Sequence, residues 1–176
     1  IQGTGYTGEE GVEIFISNEI ATDVWNTLME QGADLGVTPV GLGARDTLRL
    51  EKGYLLSGQD FLWPGLGHDH QGPLPAGYLS RTSLEANIPF GLNLDHNFIG
   101  KDAMIGSADT NTLWMGLMCT GKGPSPRTGH EVHSSPVGDS LIGLVTSGAP
   151  SPSLGVGIGM AYMENVMEGD LSLIHI

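Results

Sequence analysis

The sequence predicts an α+β fold, with helices in the first part of the chain and short strands after about residue 111. Two early segments carry apolar residues at helical spacing, and three later segments are short apolar runs bounded by Gly, Pro and Ser. With 28 glycines and 10 prolines among 176 residues, the chain has too many structure-breaking residues for a long helical bundle or coiled coil. We therefore expect helices first, and then a small β-barrel or sandwich.

The charge balance excludes two classes of partner. The chain has 20 acidic and 7 basic side chains and a net charge of −13, which is too acidic for a surface that binds nucleic acid or an anionic membrane.

The sequence has no run of 18 apolar residues and no basic N-terminal region, so we expect neither a transmembrane helix nor a signal peptide. The single cysteine, Cys119, lies in an apolar run, and we expect it to be buried and unreactive.

The first predicted element is a strand at Gly11–Ile16. Apolar residues alternate there, which places Val12 and Ile14 on one face and Glu13 on the other. A helix follows directly, with Ser17 or Asn18 as its cap.

The two predicted helices end at glycines. We expect Gly32 to be the left-handed C-cap of the first helix. Its apolar positions follow helical spacing: Ala21, Val24, Trp25, Leu28 and Met29. The second helix runs from about Gly43 to Lys52 and ends at Gly53, with Arg45 and Arg49 one turn apart on one face.

Beyond the helices, the stretch from Gly58 to Pro75 is rich in Gly, Pro and His, and we expect a long surface loop. A short helix is predicted at Lys101–Ile105. The predicted strands are Leu113–Met118, Leu141–Thr146 and Gly157–Met163.

The strongest candidate site pairs Glu13 with Arg45. A carboxylate fixed on a strand can accept two hydrogen bonds from a flat heterocycle with adjacent N–H donors, and a guanidinium can anchor a ligand carboxylate. The alternative is a simple Glu13–Arg45 ion pair between neighbouring elements, and by spacing alone the ion pair is favoured.

Four motifs follow one another along most of the chain: Gly5–Ile14, Gly41–Glu51, Phe98–Ala103, and Val145–Gly148 with Ser151–Leu154. Together they resemble the glycine cleavage system T protein family, whose members are aminomethyltransferases. The motifs occur in the family's order, but they match only about the C-terminal half of the family's chain.

This resemblance implies three domains around a central folate channel. Residues 1–110 would form the C-terminal part of the α+β folate-binding domain, with a loop insertion at about 61–82, and residues 111–170 the C-terminal β-barrel domain. The implied reaction passes the aminomethyl carbon from the lipoyl arm of the glycine cleavage H protein to tetrahydrofolate and releases ammonia. The implied location is cytoplasmic, or the mitochondrial matrix for a eukaryotic source.

The resemblance also assigns roles to residues. Glu13 matches the residue that holds the pterin edge, Arg45 the folate-contacting arginine, and Tyr6 an aromatic residue that lines the pocket. The family's acidic catalytic residue lies in its N-terminal half, so no catalytic residue is assigned here and we expect no turnover from this chain alone. Asp46, Arg49 and Glu51 are interpreted as helix-end ion pairs and packing.

Three alternative functions stay open: a related enzyme, a non-catalytic folate-binding module and a structural module. The folate-binding parts of dimethylglycine or sarcosine dehydrogenases and folate-dependent demethylases share the fold and pocket. A non-catalytic folate-binding module of the iron–sulfur maintenance type would carry a Cys after Lys52-Gly53, where this chain has Tyr54. An acidic structural module that has lost its ligand is the remaining alternative.

Three further motifs are assigned more modest roles. His68 and His70 could bind a divalent metal, but they have no further ligand at a fixed offset, and we interpret them as part of a solvated loop. Arg127 belongs to a turn before a strand, and a contact with a partner is the alternative. Residues 171–176 resemble a sequencing-library scar, with a genuine last strand as an equal alternative.

Overall fold

The computed structural model describes residues 1–62, 72–88, 92–106, 111–121, 123–134 and 140–164. The chain divides into two compact units, Ile1–Lys52 and Gly53–Ile176. The domain boundary near residue 110 stays a prediction. Residues 63–71 of the predicted insertion and the hexapeptide 171–176 lie outside the described residues.

The first unit contains the two predicted helices. A short 3₁₀ turn at Asn18–Ile20 leads into α1 (Ala21–Gly32), a second 3₁₀ turn spans Ala33–Leu35, and α2 is Leu42–Lys52. Ser17 precedes the first turn with extended backbone, but its side chain makes no capping hydrogen bond. Gly53 follows α2 with a φ of 80°, so the predicted end of this helix is confirmed.

The C-cap prediction for Gly32 is wrong. Gly32 has a φ of −87°, and the left-handed residue is Gly36, with a φ of 78°. The Val37 side chain lies 2.5 Å from the point where a Cβ on Gly32 would stand. Gly32 is therefore required for close packing of Val37 and not for a left-handed turn.

The strand predicted at Gly11–Ile16 does not form. Glu13 and Gln2 exchange two backbone hydrogen bonds of 2.9 Å, and this isolated bridge is the only β pairing of the segment among the described residues. Val12 and Phe15 are 60% and 73% exposed. Apolar alternation favours a strand only where a neighbouring strand and a packed layer are available to it.

The second unit is built on an antiparallel sheet. Its strands are β1 (Thr112–Met118), β2 (Glu131–His133), β3 (Leu141–Pro150) and β4 (Gly157–Glu164), in the spatial order β1-β4-β3-β2. Each of the three predicted strands is confirmed, and the α+β class with it. In the described part of the chain the sheet is open, with β1 and β2 at its edges.

The core of this sheet is apolar on one face. Its buried members are contributed by all four strands: Leu117, Val132, Val145, Ala161 and Met163. Gly143 allows β3 and β4 to approach, because a Cβ there would stand 2.0 Å from the Tyr162 carbonyl oxygen. Cys119, expected to be buried, is half-buried beside Gly157.

The sequence predicted a surface loop at Gly58–Pro75, but two residues of this stretch are buried. Asp60 is fully buried and accepts hydrogen bonds from the Thr146 and Ser147 hydroxyls of β3 and from the Leu56 backbone N–H. Leu74 is also buried. The short Asp60 carboxylate can enter the interior because three donors replace its hydration.

A stacked arginine near the end of the predicted insertion contacts a tyrosine of the sheet. The Arg81 guanidinium lies 4.6 Å from the Tyr78 ring centroid and 4.4 Å from that of Tyr162, and it pairs with Glu85 at 2.9 Å. The Tyr78 hydroxyl donates to the Tyr162 carbonyl oxygen and accepts from the Leu144 N–H. Burial raises the pKa of the Tyr78 hydroxyl.

The remaining predicted elements are also present in the second unit. The short helix is α3 (Lys101–Gly106), and the Lys101 ammonium donates to the carbonyl oxygens of Leu94 and His96. Arg127 lies in the predicted turn, donates to the Gly148 carbonyl oxygen at 3.0 Å and accepts from the His130 N–H. The structural interpretation of this turn is confirmed, and a partner contact through Arg127 is not tested.

Candidate functional site

The first unit brings Tyr6 and Arg45 together. Arg45 lies in the first turn of α2, where its N–H donates to the Gly41 carbonyl oxygen. Tyr6 belongs to the glycine-flanked turn Gly5–Gly8, and the Arg45 guanidinium carbon lies 4.5 Å from the centroid of its ring. This is a cation–π contact, and it leaves the N–H groups at the guanidinium edge available to a ligand.

One face of α2 carries three cations, at positions 45, 49 and 52. Arg49 is fully buried, and its Nε donates to Asp46 at 2.7 Å. The ion pair predicted for Asp46 and Arg49 is therefore confirmed, whereas a role for Glu51 stays a prediction. Arg45 and Lys52, each about one helical turn from Arg49, are exposed.

The Gly5–Gly8 turn also packs against the end of α2. Gly8 has a φ of 79°, and a Cβ built there would lie 2.5 Å from the Lys52 Cγ. The aliphatic stem of Lys52 therefore covers Gly8 while Arg45 covers Tyr6. The sequence motif alone did not identify Lys52, although its i, i+7 spacing from Arg45 places the two residues on one helix face.

Glu13 lies beside the same turn through its backbone bridge to Gln2. Its side chain is exposed and makes no hydrogen bond or ion pair with any residue in the described part of the chain. The alternative Glu13–Arg45 ion pair is thus not formed among those residues. The structure brings Tyr6 and Arg45 into contact and leaves the Glu13 carboxylate available to solvent.

Metal ligands do not cluster in the described ranges, where no group of three His, Cys, Asp or Glu side chains could hold an ion. His68 and His70 lie outside those ranges.

Two family models match the chain. Residues 1–63 match the GCVT N-terminal domain, and residues 114–172 match the glycine cleavage T-protein C-terminal barrel domain. The chain belongs to the glycine cleavage T-protein family. The first of these matches contains Tyr6, Glu13, Arg45 and Lys52, and the second contains most of the antiparallel sheet.

Curated relatives agree with this family. The chain is 42% identical over 166 residues to an aminomethyltransferase of Halothermothrix orenii and 39% identical over 170 residues to a probable aminomethyltransferase of Halobacterium salinarum. These matches cover 93% and 97% of the chain, but only 41% of each relative. The chain therefore spans about two-fifths of the length of these relatives.

A solved structure supports the fold. The chain is similar to the glycine cleavage system aminomethyltransferase T of Bartonella henselae, with a TM-score of 0.63 and 27% identity. The similarity covers 92% of the chain and 40% of that structure.

Proposed function

We propose that the chain is the C-terminal part of a tetrahydrofolate-dependent aminomethyltransferase of the glycine cleavage system. Membership of the T-protein family and relatives named aminomethyltransferase support this proposal. The single observation that carries it is the Arg45–Tyr6 contact, because this contact brings together two residues to which the family resemblance assigns folate binding.

The side chains of Glu13, Arg45 and Tyr6 in the first unit suit the chemistry of tetrahydrofolate. The pterin ring presents adjacent N–H donors, and the exposed Glu13 carboxylate can accept hydrogen bonds from two of them. The glutamyl tail is anionic, and Arg45 is a cation with no carboxylate partner among the described residues. Tyr6 adds an aromatic surface, the usual lining of a site for a flat ligand.

These residues bind and orient the ligand. When bound, tetrahydrofolate supplies the nitrogen atoms that take up the one-carbon unit from the lipoyl arm of H protein as ammonia leaves. Glu13 fixes the ring orientation, and Arg45 anchors the tail. We expect the acidic catalytic group to lie in the part of the protein that precedes this chain, so the chain contributes affinity and orientation.

The proposed partner is the lipoylated glycine cleavage H protein, and the proposed location is the cytoplasm, or the mitochondrial matrix for a eukaryotic source. Among the described helices, none is both long enough and apolar enough to cross a membrane.

The proposal is tested with the full-length protein that carries this sequence. Transfer from aminomethyl-lipoyl H protein to tetrahydrofolate is measured for the wild type, Arg45→Met and the control Arg127→Met, which changes an arginine bonded to a backbone carbonyl. We expect Arg45→Met to raise the KM for tetrahydrofolate about tenfold or more, with a smaller change in kcat, because a charged hydrogen bond to the ligand is lost. No folate-dependent transfer by the wild type would overturn the proposal.

A further inference from the structure

The arginine and lysine side chains of this acidic chain differ in whether they pair with a carboxylate. Among the six basic residues that the structure describes, Arg49 and Arg81 pair with carboxylates, and Lys101 and Arg127 donate to backbone carbonyls. The other two, Arg45 and Lys52, have no acidic partner in the described ranges. A chain with 20 acidic side chains offers many carboxylates, so two exposed cations on one helix face without such a partner are a distinctive feature.

Arg45 and Lys52 are separated by two helical turns, about 10 Å along the axis of α2. Arg49 lies between them, but it is buried and its charge is matched by Asp46. The exposed positive charge of this face therefore comes from Arg45, which contacts Tyr6, and from Lys52, whose stem contacts Gly8. Long side chains at these positions can converge on a ligand that lies over the turn.

The Lys52 stem is held in place before any ligand binds. It packs on Gly8, with its Cβ, Cγ and Cδ all 2.5–2.7 Å from the position of a Cβ on that glycine. Packing of the stem restricts the side chain while the residue stays exposed. A cation that is already restricted loses less entropy when it binds an anion than a free lysine does.

We propose that Lys52 is a second anion-binding residue of this site and holds a carboxylate of the ligand tail that Arg45 also binds. This inference rests on the proposed folate function and extends it, because it assigns the two carboxylates of a glutamyl tail to two different cations. Lys52 acts through its ammonium group, and its stem also supports the turn that carries Tyr6.

The test separates these two roles of Lys52. Lys52→Met keeps an unbranched apolar stem of similar length and removes the charge. Binding is measured by titration calorimetry on the full-length protein at several KCl concentrations, with tetrahydrofolate and with tetrahydropteroate, which has no glutamyl tail. The melting temperature of each variant monitors folding.

We expect Lys52→Met to weaken tetrahydrofolate binding roughly three- to tenfold, to leave tetrahydropteroate binding unchanged and to reduce the dependence of the tetrahydrofolate Kd on salt. Unchanged binding of both ligands, or an equal loss for both, would overturn the inference, because Lys52 would then act only through its stem. Failure of the proposed function gives a different result: the wild type itself binds neither ligand.

Discussion

The Arg45 guanidinium lies over the ring of Tyr6, 4.5 Å from its centroid, and so links the N-terminal turn of the unit to the first turn of α2. At a solvent-exposed site such a contact contributes about 0.5–1 kcal/mol. Because the ring lies against the guanidinium, Tyr6 orients the Arg45 side chain in the absence of any ligand.

The first prediction concerns this pair. In a double-mutant cycle of Tyr6→Leu and Arg45→Met, we expect the free energies of unfolding to show a coupling of about 0.5–1 kcal/mol, since either change removes the same contact. Tyr6→Phe keeps the ring face and should keep the coupling. Strict additivity of Tyr6→Leu and Arg45→Met would show that the contact does not stabilise the unit.

A second prediction uses two glycines with the same backbone conformation. Gly8 and Gly36 have φ angles of 79° and 78°, but only Gly8 is covered, by Lys52, whereas nothing lies within 4 Å of a Cβ at Gly36. Gly36→Ala should cost about 1–2 kcal/mol for the left-handed conformation, and Gly8→Ala should cost more because the Lys52 stem must also move. Urea unfolding of both variants measures the difference, and equal losses would contradict the packing of Lys52 on Gly8.

The third prediction concerns the buried Asp60 of the second unit. Asp60→Ala removes the acceptor for the Leu56 N–H and for the Thr146 and Ser147 hydroxyls, so we expect a loss of about 3 kcal/mol or more in unfolding free energy. The control Gln59→Ala removes only a 3.4 Å hydrogen bond to the Thr146 carbonyl oxygen and should change stability by less than about 1 kcal/mol. Similar losses in the two variants, measured by urea unfolding, would contradict the buried network.

The fourth prediction is a pH dependence. Burial acts to raise the pKa of Glu85, but hydrogen bonds from the Thr82 N–H and from Arg81 outweigh it and lower the pKa below its usual value. The stability that the Glu85 carboxylate contributes is therefore fully present above its unfolded pKa of about 4.3, and it is lost as the pH falls through the lowered folded pKa.

Glu85→Gln tests this dependence. The difference in unfolding free energy between wild type and Glu85→Gln should be largest near pH 7 and should shrink as the pH falls below about 4. Chemical denaturation at a series of pH values measures it. A difference that stays constant from pH 7 to pH 3 would show that the Glu85 charge does not stabilise the fold.

Local sequence signals were sufficient to predict several helices and strands. Helix α2 ends where the sequence predicted because Gly53 supplies the left-handed residue that follows its last turn. The strands β1, β3 and β4 were predicted because each is a short apolar run between Gly, Pro or Ser residues. The contact between Tyr6 and Arg45 was anticipated only as shared membership of one pocket.

Other features depend on residues that are distant in sequence. The Asp60 carboxylate is buried through hydroxyls 86 and 87 residues away, and nothing in the local sequence marks such a partner. Alternation at Gly11–Ile16 resembles a strand, yet strand formation depends on neighbours that the segment lacks in the described structure. Lys52 was missed because it acts on the turn through a packed stem, which no local motif encodes.

In the proposed function, the surface that carries Glu13 and Arg45 binds a reduced folate through its pterin ring. The most direct measurement is titration calorimetry of tetrahydrofolate into the full-length protein that carries this sequence, comparing the wild type with Glu13→Gln. We expect Glu13→Gln to lose about 1.5–3 kcal/mol of binding free energy, because hydrogen bonds to a charged acceptor are weakened. Equal binding by the two proteins, or no binding by the wild type, would contradict the claim.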